Sequence, residues 1–147
     1  MFSPDYKEFI QSLNDNSVDY LVVGGYAVAL HGYPRYTKDI DIWIESSQEN
    51  ATRLLKALEQ FGFGSVGLKV EDFLEPDQVV QLGYPPNRID LLTSLAGVAF
   101  QNCYNAKMAV DIEGLIVNFI DIESLKKNKK ASGRLQDLAD VENLGGD

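Results

Sequence analysis

At 147 residues, 45% hydrophobic and 24% charged, the chain has the composition of one folded domain over residues 1–147 and excludes a disordered segment. A net charge of −9, from 22 acidic and 13 basic residues, argues against non-specific nucleic-acid binding, which needs cationic charge to displace counterions. No apolar run reaches the roughly 20 residues of a membrane helix, and Met1 to Asp15 lack the basic start and apolar stretch of a signal peptide; no membrane association and a cytoplasmic location are expected.

Ser3-Pro4 followed by Tyr6, Phe9, Ile10 and Leu13 at helical spacing predicts a capped amphipathic helix. Val18 to Val23 is a short apolar run rich in β-formers, ended by Gly24-Gly25, and reads as a buried strand. Tyr26 to His31 predicts a short helix stopped by Gly32 and Pro34. In Ile40 to Ile44 the isoleucines face one way, while Asp39, Asp41 and Trp43 face the other. A second amphipathic helix follows, with Ser46 and Glu49 as its capping box, Ala51, Leu54, Leu55, Leu58 and Phe61 as its stripe, and Gly62 at its end. Strands are predicted at Gln78 to Leu82, Arg88 to Leu92, Lys107 to Val110 and Leu115 to Ile120, the last two forming a hairpin around Asp111 to Gly114. Ile122 to Leu144 reads as helical, broken near Ser132-Gly133. Interleaved helices and strands with a hairpin predict an α+β fold, a mixed β-sheet with flanking helices covering mainly one face.

The chemistry concentrates in Gly24-Gly25 and Asp39-Ile40-Asp41-Ile42. Carboxylates at i and i+2 on a strand project to one face and repel unless neutralised. A divalent cation relieves that repulsion, and hard Mg²⁺ prefers oxygen ligands together with phosphates. The glycine pair, between strand and helix, allows backbone N–H groups close to a triphosphate. Arg35 and Lys38 add positive charge in the loop, and Asp90, in Arg88-Ile89-Asp90-Leu91, supplies a third acid from another strand. Singly, each feature has a plainer reading: a turn, a solvated edge strand, an ordinary exposed acid. In this order, with apolar residues flanking every acid, they point to a reaction centre.

His31 reads as a packing or capping residue, Trp43 as filling space near the acids or stacking on a base, and Cys103 as a small buried hydrophobe. With one cysteine, no internal disulfide and no cysteine zinc cage is available. Tyr84-Pro85-Pro86-Asn87 reads as the turn that leads into the Asp90 strand. Lys126, Lys127, Lys129, Lys130 and Arg134 form a local basic patch.

These residues resemble the nucleotidyltransferase superfamily typified by DNA polymerase beta. Its motif is an apolar strand, Gly-Gly or Gly-Ser, about a dozen residues, then Asp-apolar-Asp-apolar, with a third Asp on a later strand. Gly24, Gly25, Asp39, Asp41 and Asp90 match position by position. Gly24-Gly25-Tyr26-Ala27, Tyr33-Pro34-Arg35-Tyr36-Thr37, and Lys129 to Arg134 with Asp137-Leu138 are similar to minimal bacterial members, including those of toxin–antitoxin and abortive-infection systems. Many members carry Ser where Gly25 stands, so a hydroxyl contact to phosphate is missing here.

The resemblance implies a metal-dependent transferase that moves a nucleoside monophosphate from an NTP to a hydroxyl on protein, RNA or a small molecule. Asp39, Asp41 and Asp90 would be catalytic and hold Mg²⁺ or Mn²⁺. Gly24, Gly25, Arg35, Thr37, Lys38, Lys129 and Arg134 would bind the nucleotide. Lys129 and Arg134 have an equal alternative as a solvated cationic face. Larger relatives contact the acceptor through an added helical domain, so a protein partner or a second copy is expected to complete that side. An inactive binding or regulatory protein on the same fold, such as an antitoxin partner, is the competing expectation.

Overall fold

A computed structural model describes residues 2–33, 37, 39–64, 67–84 and 87–146. Helix α1 (Pro4–Asp15) starts where expected: the Ser3 side chain accepts the N–H of Tyr6 at 3.3 Å, and Pro4 takes the first helical position, where no donor is needed. Its predicted stripe, Tyr6, Phe9, Ile10 and Leu13, is buried. Strand β1 (Tyr20–Val23) is buried along its whole length. Helix α2 (Gly24–Leu30) leaves β1 with no intervening residue. It therefore begins two residues before the predicted start, and the glycine pair forms its first turn. Gly24, at φ +68°, makes that reversal without the strain a side chain would bring.

Strand β2 (Ile40–Ile44) has the predicted bounds. Helix α3 (Gln48–Phe61) is capped by Ser47, whose hydroxyl accepts the Asn50 N–H at 3.1 Å, and not by Ser46, which donates to the Thr93 carbonyl at 3.3 Å. Two adjacent serines leave a pattern ambiguous by one residue; Asn50 settles it. Fully buried, it accepts the Asp19 N–H and donates to the Asp19 and Glu45 carbonyls, which fixes where the helix starts.

A 3₁₀ turn (Val70–Phe73) precedes β3 (Val79–Leu82) and β4 (Ile89–Leu92). A short helix α4 (Phe100–Asn105) precedes the hairpin of β5 (Met108–Ile112) and β6 (Leu115–Phe119). The sequence pattern had shown neither the 3₁₀ turn nor α4: each spans at most six residues, too few for a helical period to register. The hairpin turn is tighter than expected, with β5 running on to Ile112. Helices α5 (Ile122–Ser132) and α6 (Leu135–Asn143) flank the break at Gly133, which takes φ +72°.

The strands form one mixed sheet in the order β3-β4-β2-β1-β6-β5. β1–β2, β3–β4 and β5–β6 are antiparallel, and β2–β4 and β1–β6 are parallel. The fold is α+β. One face carries Tyr20, Val22, Ile40, Ile42 and Ile44, all buried, and lies under α1, where the Tyr20 hydroxyl reaches Asn14 at 3.0 Å. α1 packs on α3 through Phe9 and Phe61, ring centroids 5.2 Å apart, and through the Ser12 hydroxyl on the Ala57 carbonyl. Burying each such aromatic contributes about 1.5–3 kcal/mol. The opposite face carries Asp41 and Trp43 and is covered only in part: Trp43 meets Phe100 of α4 edge to face at 5.0 Å. Among the described residues no helix is long and apolar enough to cross a membrane.

Candidate active site

β2 and β4 lie side by side in parallel register, which sets Asp41 opposite Asp90. Cross-strand partners point to the same face, so the two carboxyls meet, close enough to share a hydrogen bond. Burial pushes Asp41 up to about 6, with the neighbouring charges of Asp90 and Asp39 adding to the rise and Lys129 opposing it. On the other side of Asp41 stands the α2 turn. A Cβ on Gly24 would run into the Asp41 carboxylate, its Cγ only 3.1 Å away, so this position accepts glycine alone.

Asp39, just before β2, joins the cluster through Arg88. The guanidinium donates to Asp39 Oδ2 at 2.7 Å and to Asp90 at 3.1 and 3.2 Å. Among the described residues, Asp39 Oδ1 is buried with no hydrogen-bond partner. Three carboxylates therefore face one guanidinium, and one of their oxygens is orphaned. Among the described residues, no group of three or more histidine, cysteine, aspartate or glutamate side chains is disposed to hold a metal ion. Arg88 occupies the place between two of the acids. The chemistry of the donor set still fits a hard divalent cation: all-oxygen ligands, excess negative charge, and a buried oxygen awaiting a partner.

Beside Asp41 a cavity of 330 Å³ is bounded by Gly24, Asp41, Asn128, Lys129, Ser132 and Arg134. Lys129 is 5% exposed, which overturns the reading of a solvated cationic face at this residue. Its ammonium lies 3.0 Å from Asp137 and 3.1 Å from Asp140, both buried in α6. Asp137 also accepts from the Ser132 hydroxyl at 2.6 Å and Arg134 Nε at 2.7 Å. Burial alone would raise the Asp137 carboxyl; the hydrogen bonds from Arg134, Ser132 and Lys129 outweigh it and hold it at about 2. Arg134, its side chain 77% exposed, remains open to solvent at the cavity rim.

The structure thus brings together Gly24, Asp39, Asp41, Asp90, Lys129 and Arg134. Gly25 is buried in the first turn of α2. Thr37 donates to the Asp39 carbonyl at 3.1 Å, so its hydroxyl serves the loop that carries the acid. Arg35 and Lys38 lie outside the described residues, as do Pro85 and Pro86 of the turn before β4. His31 caps α2, its Nε2 on the Ile120 carbonyl at 2.8 Å, and Cys103 is buried. Trp43 is 2% exposed and packed, so it fills space and leaves little ring for stacking. Sequence reasoning gave no role to Arg88 or to Asp137, which it quoted only within motifs, and did not single out Asp140. A signal existed for each: Arg88 immediately precedes β4, two residues before Asp90, and Asp137 and Asp140 share a helical face otherwise made of buried residues.

The chain matches, over residues 5–145, the family described as "Nucleotidyltransferase of unknown function (DUF6036)". It is a member of that nucleotidyltransferase family. Among solved structures, a Thermotoga maritima protein assigned as a nucleotidyltransferase shares its fold at a TM-score of 0.61 and 17% identity, over 98% of this chain and 92% of that one. An antigenic nucleotidyltransferase-like protein from Paracoccidioides brasiliensis aligns at a TM-score of 0.55 and 20% identity, over 97% and 75% of the two chains. No curated protein matches the sequence. At these identities the structural likeness speaks for the nucleotidyltransferase fold, and the family match for the nucleotidyltransferase family.

Proposed function

We propose that this nucleotidyltransferase is an active, divalent-cation-dependent enzyme that transfers a nucleoside monophosphate from an NTP to a hydroxyl acceptor. The observation that carries the reading is Asp41: a half-buried carboxylate kept against Asp90, under a turn that admits only glycine, beside a cavity lined by Lys129 and Arg134. A fold under no functional demand gains nothing from that repulsion. Asp39, Asp41 and Asp90 would hold Mg²⁺ or Mn²⁺, which when bound neutralises charge on the phosphates. Gly24 and Gly25 present backbone to the triphosphate, while Lys129 and Arg134 pair with its oxygens. Asp90 accepts the proton of the acceptor hydroxyl as its oxygen bonds to the α-phosphorus; the α–β bridging bond breaks and pyrophosphate leaves. Arg35, Thr37 and Lys38 complete the nucleotide side from the loop before β2. The acceptor side is supplied by a second copy or a protein partner, in a toxin–antitoxin setting of the kind the motifs resemble.

Arg88, seated between Asp39 and Asp90, favours a second reading, in which the fold serves as a binding or regulatory protein. Labelled NTPs offered with Mg²⁺ or Mn²⁺ against RNA, protein and small hydroxyl acceptors separate the two. Transfer that disappears with chelator is expected; retained NTP binding with no transfer to any acceptor would leave the regulatory reading standing.

A further inference from the structure

Catalysis by the three carboxylates gives Arg88 no part, yet among the described residues none touches more of them. Its backbone is pinned: the Arg88 carbonyl accepts the Tyr6 hydroxyl at 2.9 Å and the Ile40 N–H at 3.2 Å. Its side chain is 28% exposed, so the guanidinium has solvent to turn into while the main chain stays fixed. It takes Asp39 Oδ2 and both oxygens of Asp90 in a forked arrangement that no other cation among the described residues shares. Among the described residues, Asp39 Oδ1 and the Asp41 carboxyl are left over, one with no partner and the other without a cationic hydrogen-bond donor. A guanidinium and a divalent cation seek the same carboxylate oxygens, and both cannot have them.

We propose that Arg88 is a built-in counter-cation that closes the Asp39–Asp90 pair until a divalent cation displaces it. This rests on the reading of the three acids as the cation-binding set. The exchange is a competition, so the cation's apparent affinity is lowered by whatever the guanidinium contributes to the closed pair. It also couples the cation to the nucleotide. Once displaced, the planar fork suits phosphate oxygens, and an arriving triphosphate replaces the carboxylate partners that Arg88 loses. In the absence of nucleotide the site keeps its own neutralising charge and does not attract whatever cation is abundant.

A plain structural clamp makes the opposite prediction. If Arg88 only oriented Asp90, its removal would weaken cation binding. Mn²⁺ alone, titrated calorimetrically without nucleotide into wild type, Arg88→Met and Arg88→Lys, distinguishes them. Arg88→Met is expected to bind Mn²⁺ about 10- to 100-fold tighter than wild type, the range set by one charge-assisted hydrogen-bonded pair. Arg88→Lys should fall between, since an ammonium keeps the charge and loses the fork. Equal or weaker binding by Arg88→Met overturns the proposal. Should Arg88→Met fail to fold, Arg88→Lys decides, and no tightening there overturns it equally. Nucleotide transfer by wild type with unchanged Mn²⁺ affinity in the variants sinks the role of Arg88 and leaves the enzyme reading in place. No Mn²⁺ binding by any of the three proteins, with or without NTP, sinks both.

Discussion

Asp41 is costly to the fold when ionised. In an unfolded chain its carboxyl titrates near 3.8; partly desolvated beside Asp90 and Asp39 it titrates at about 6. A folded value raised above the unfolded one means the folded state binds the extra proton. Stability therefore falls as pH rises from 3.8 to about 6, and the deficit is constant above that window. Asp41→Asn, measured in chelator by chemical denaturation, should be more stable than wild type by about 1–3 kcal/mol near neutrality. The gain should vanish at a pH below the unfolded value. No gain at neutral pH would mean the repulsion is relieved some other way. Gly24 works on the same carboxylate from above. Gly24→Ala is expected to cost about 1–3 kcal/mol, since a side chain at φ +68° is strained and its Cβ collides with Asp41. A thermal melt of the variant is the check. These two residues were legible in the sequence because spacing alone placed them. For Arg88 the spacing pointed to Asp90 alone; its contact with Asp39 depends on β2 and β4 being neighbours, which the sheet order reveals.

The α5–α6 pair is joined by buried charge as well as by apolar contact. Lys129 is enclosed by Asp137 and Asp140, and Leu135 and Leu138 on α6 are exposed. Lys129→Met would take the ammonium away from two buried carboxylates, leaving Asp137 to Ser132 and Arg134 and Asp140 to Gln136, at a cost of about 3–5 kcal/mol. Amide exchange should show it first in α6, and unchanged protection there would refute the anchor. Asp137 gives the pair a pH dependence of opposite sign to Asp41. Its folded value, about 2, is below the ordinary 3.8, so its stabilisation is present above 3.8 and lost as pH falls toward about 2. Acid should loosen α6 while it relieves the strain at Asp41. The break between α5 and α6 was readable from Ser132-Gly133. The burial of Lys129 was not, because a run of lysines looks solvated until the partners on the next helix are placed. Similarly, the strands and long helices announced themselves by period and caps, whereas α4 and the 3₁₀ turn were too short to do so.

For the whole molecule, the separable quantities are binding and transfer. Asp90→Ala should leave NTP binding largely intact, since Gly24, Lys129 and Arg134 remain around the cavity. It should lower transfer by about 10²–10⁴, the usual range for loss of an acid–base group. Calorimetry and labelled-nucleotide transfer measure the two independently; equal losses in both would put Asp90 on the binding side.

The register of β2 against β4 also constrains how the chain reaches its native state. The two strands are parallel neighbours in space but are separated in sequence by α3, a 3₁₀ turn and β3. Pairings of such sequence separation are slow to form, because loop closure precedes any compensating contact. Here the pairing also drives Asp41 onto Asp90. If that encounter is part of the rate-limiting barrier, Asp41→Asn should quicken refolding and leave the unfolding limb of a chevron almost unmoved. A variant that changes unfolding alone would place the acid pair after the barrier, as the last thing the sheet accepts.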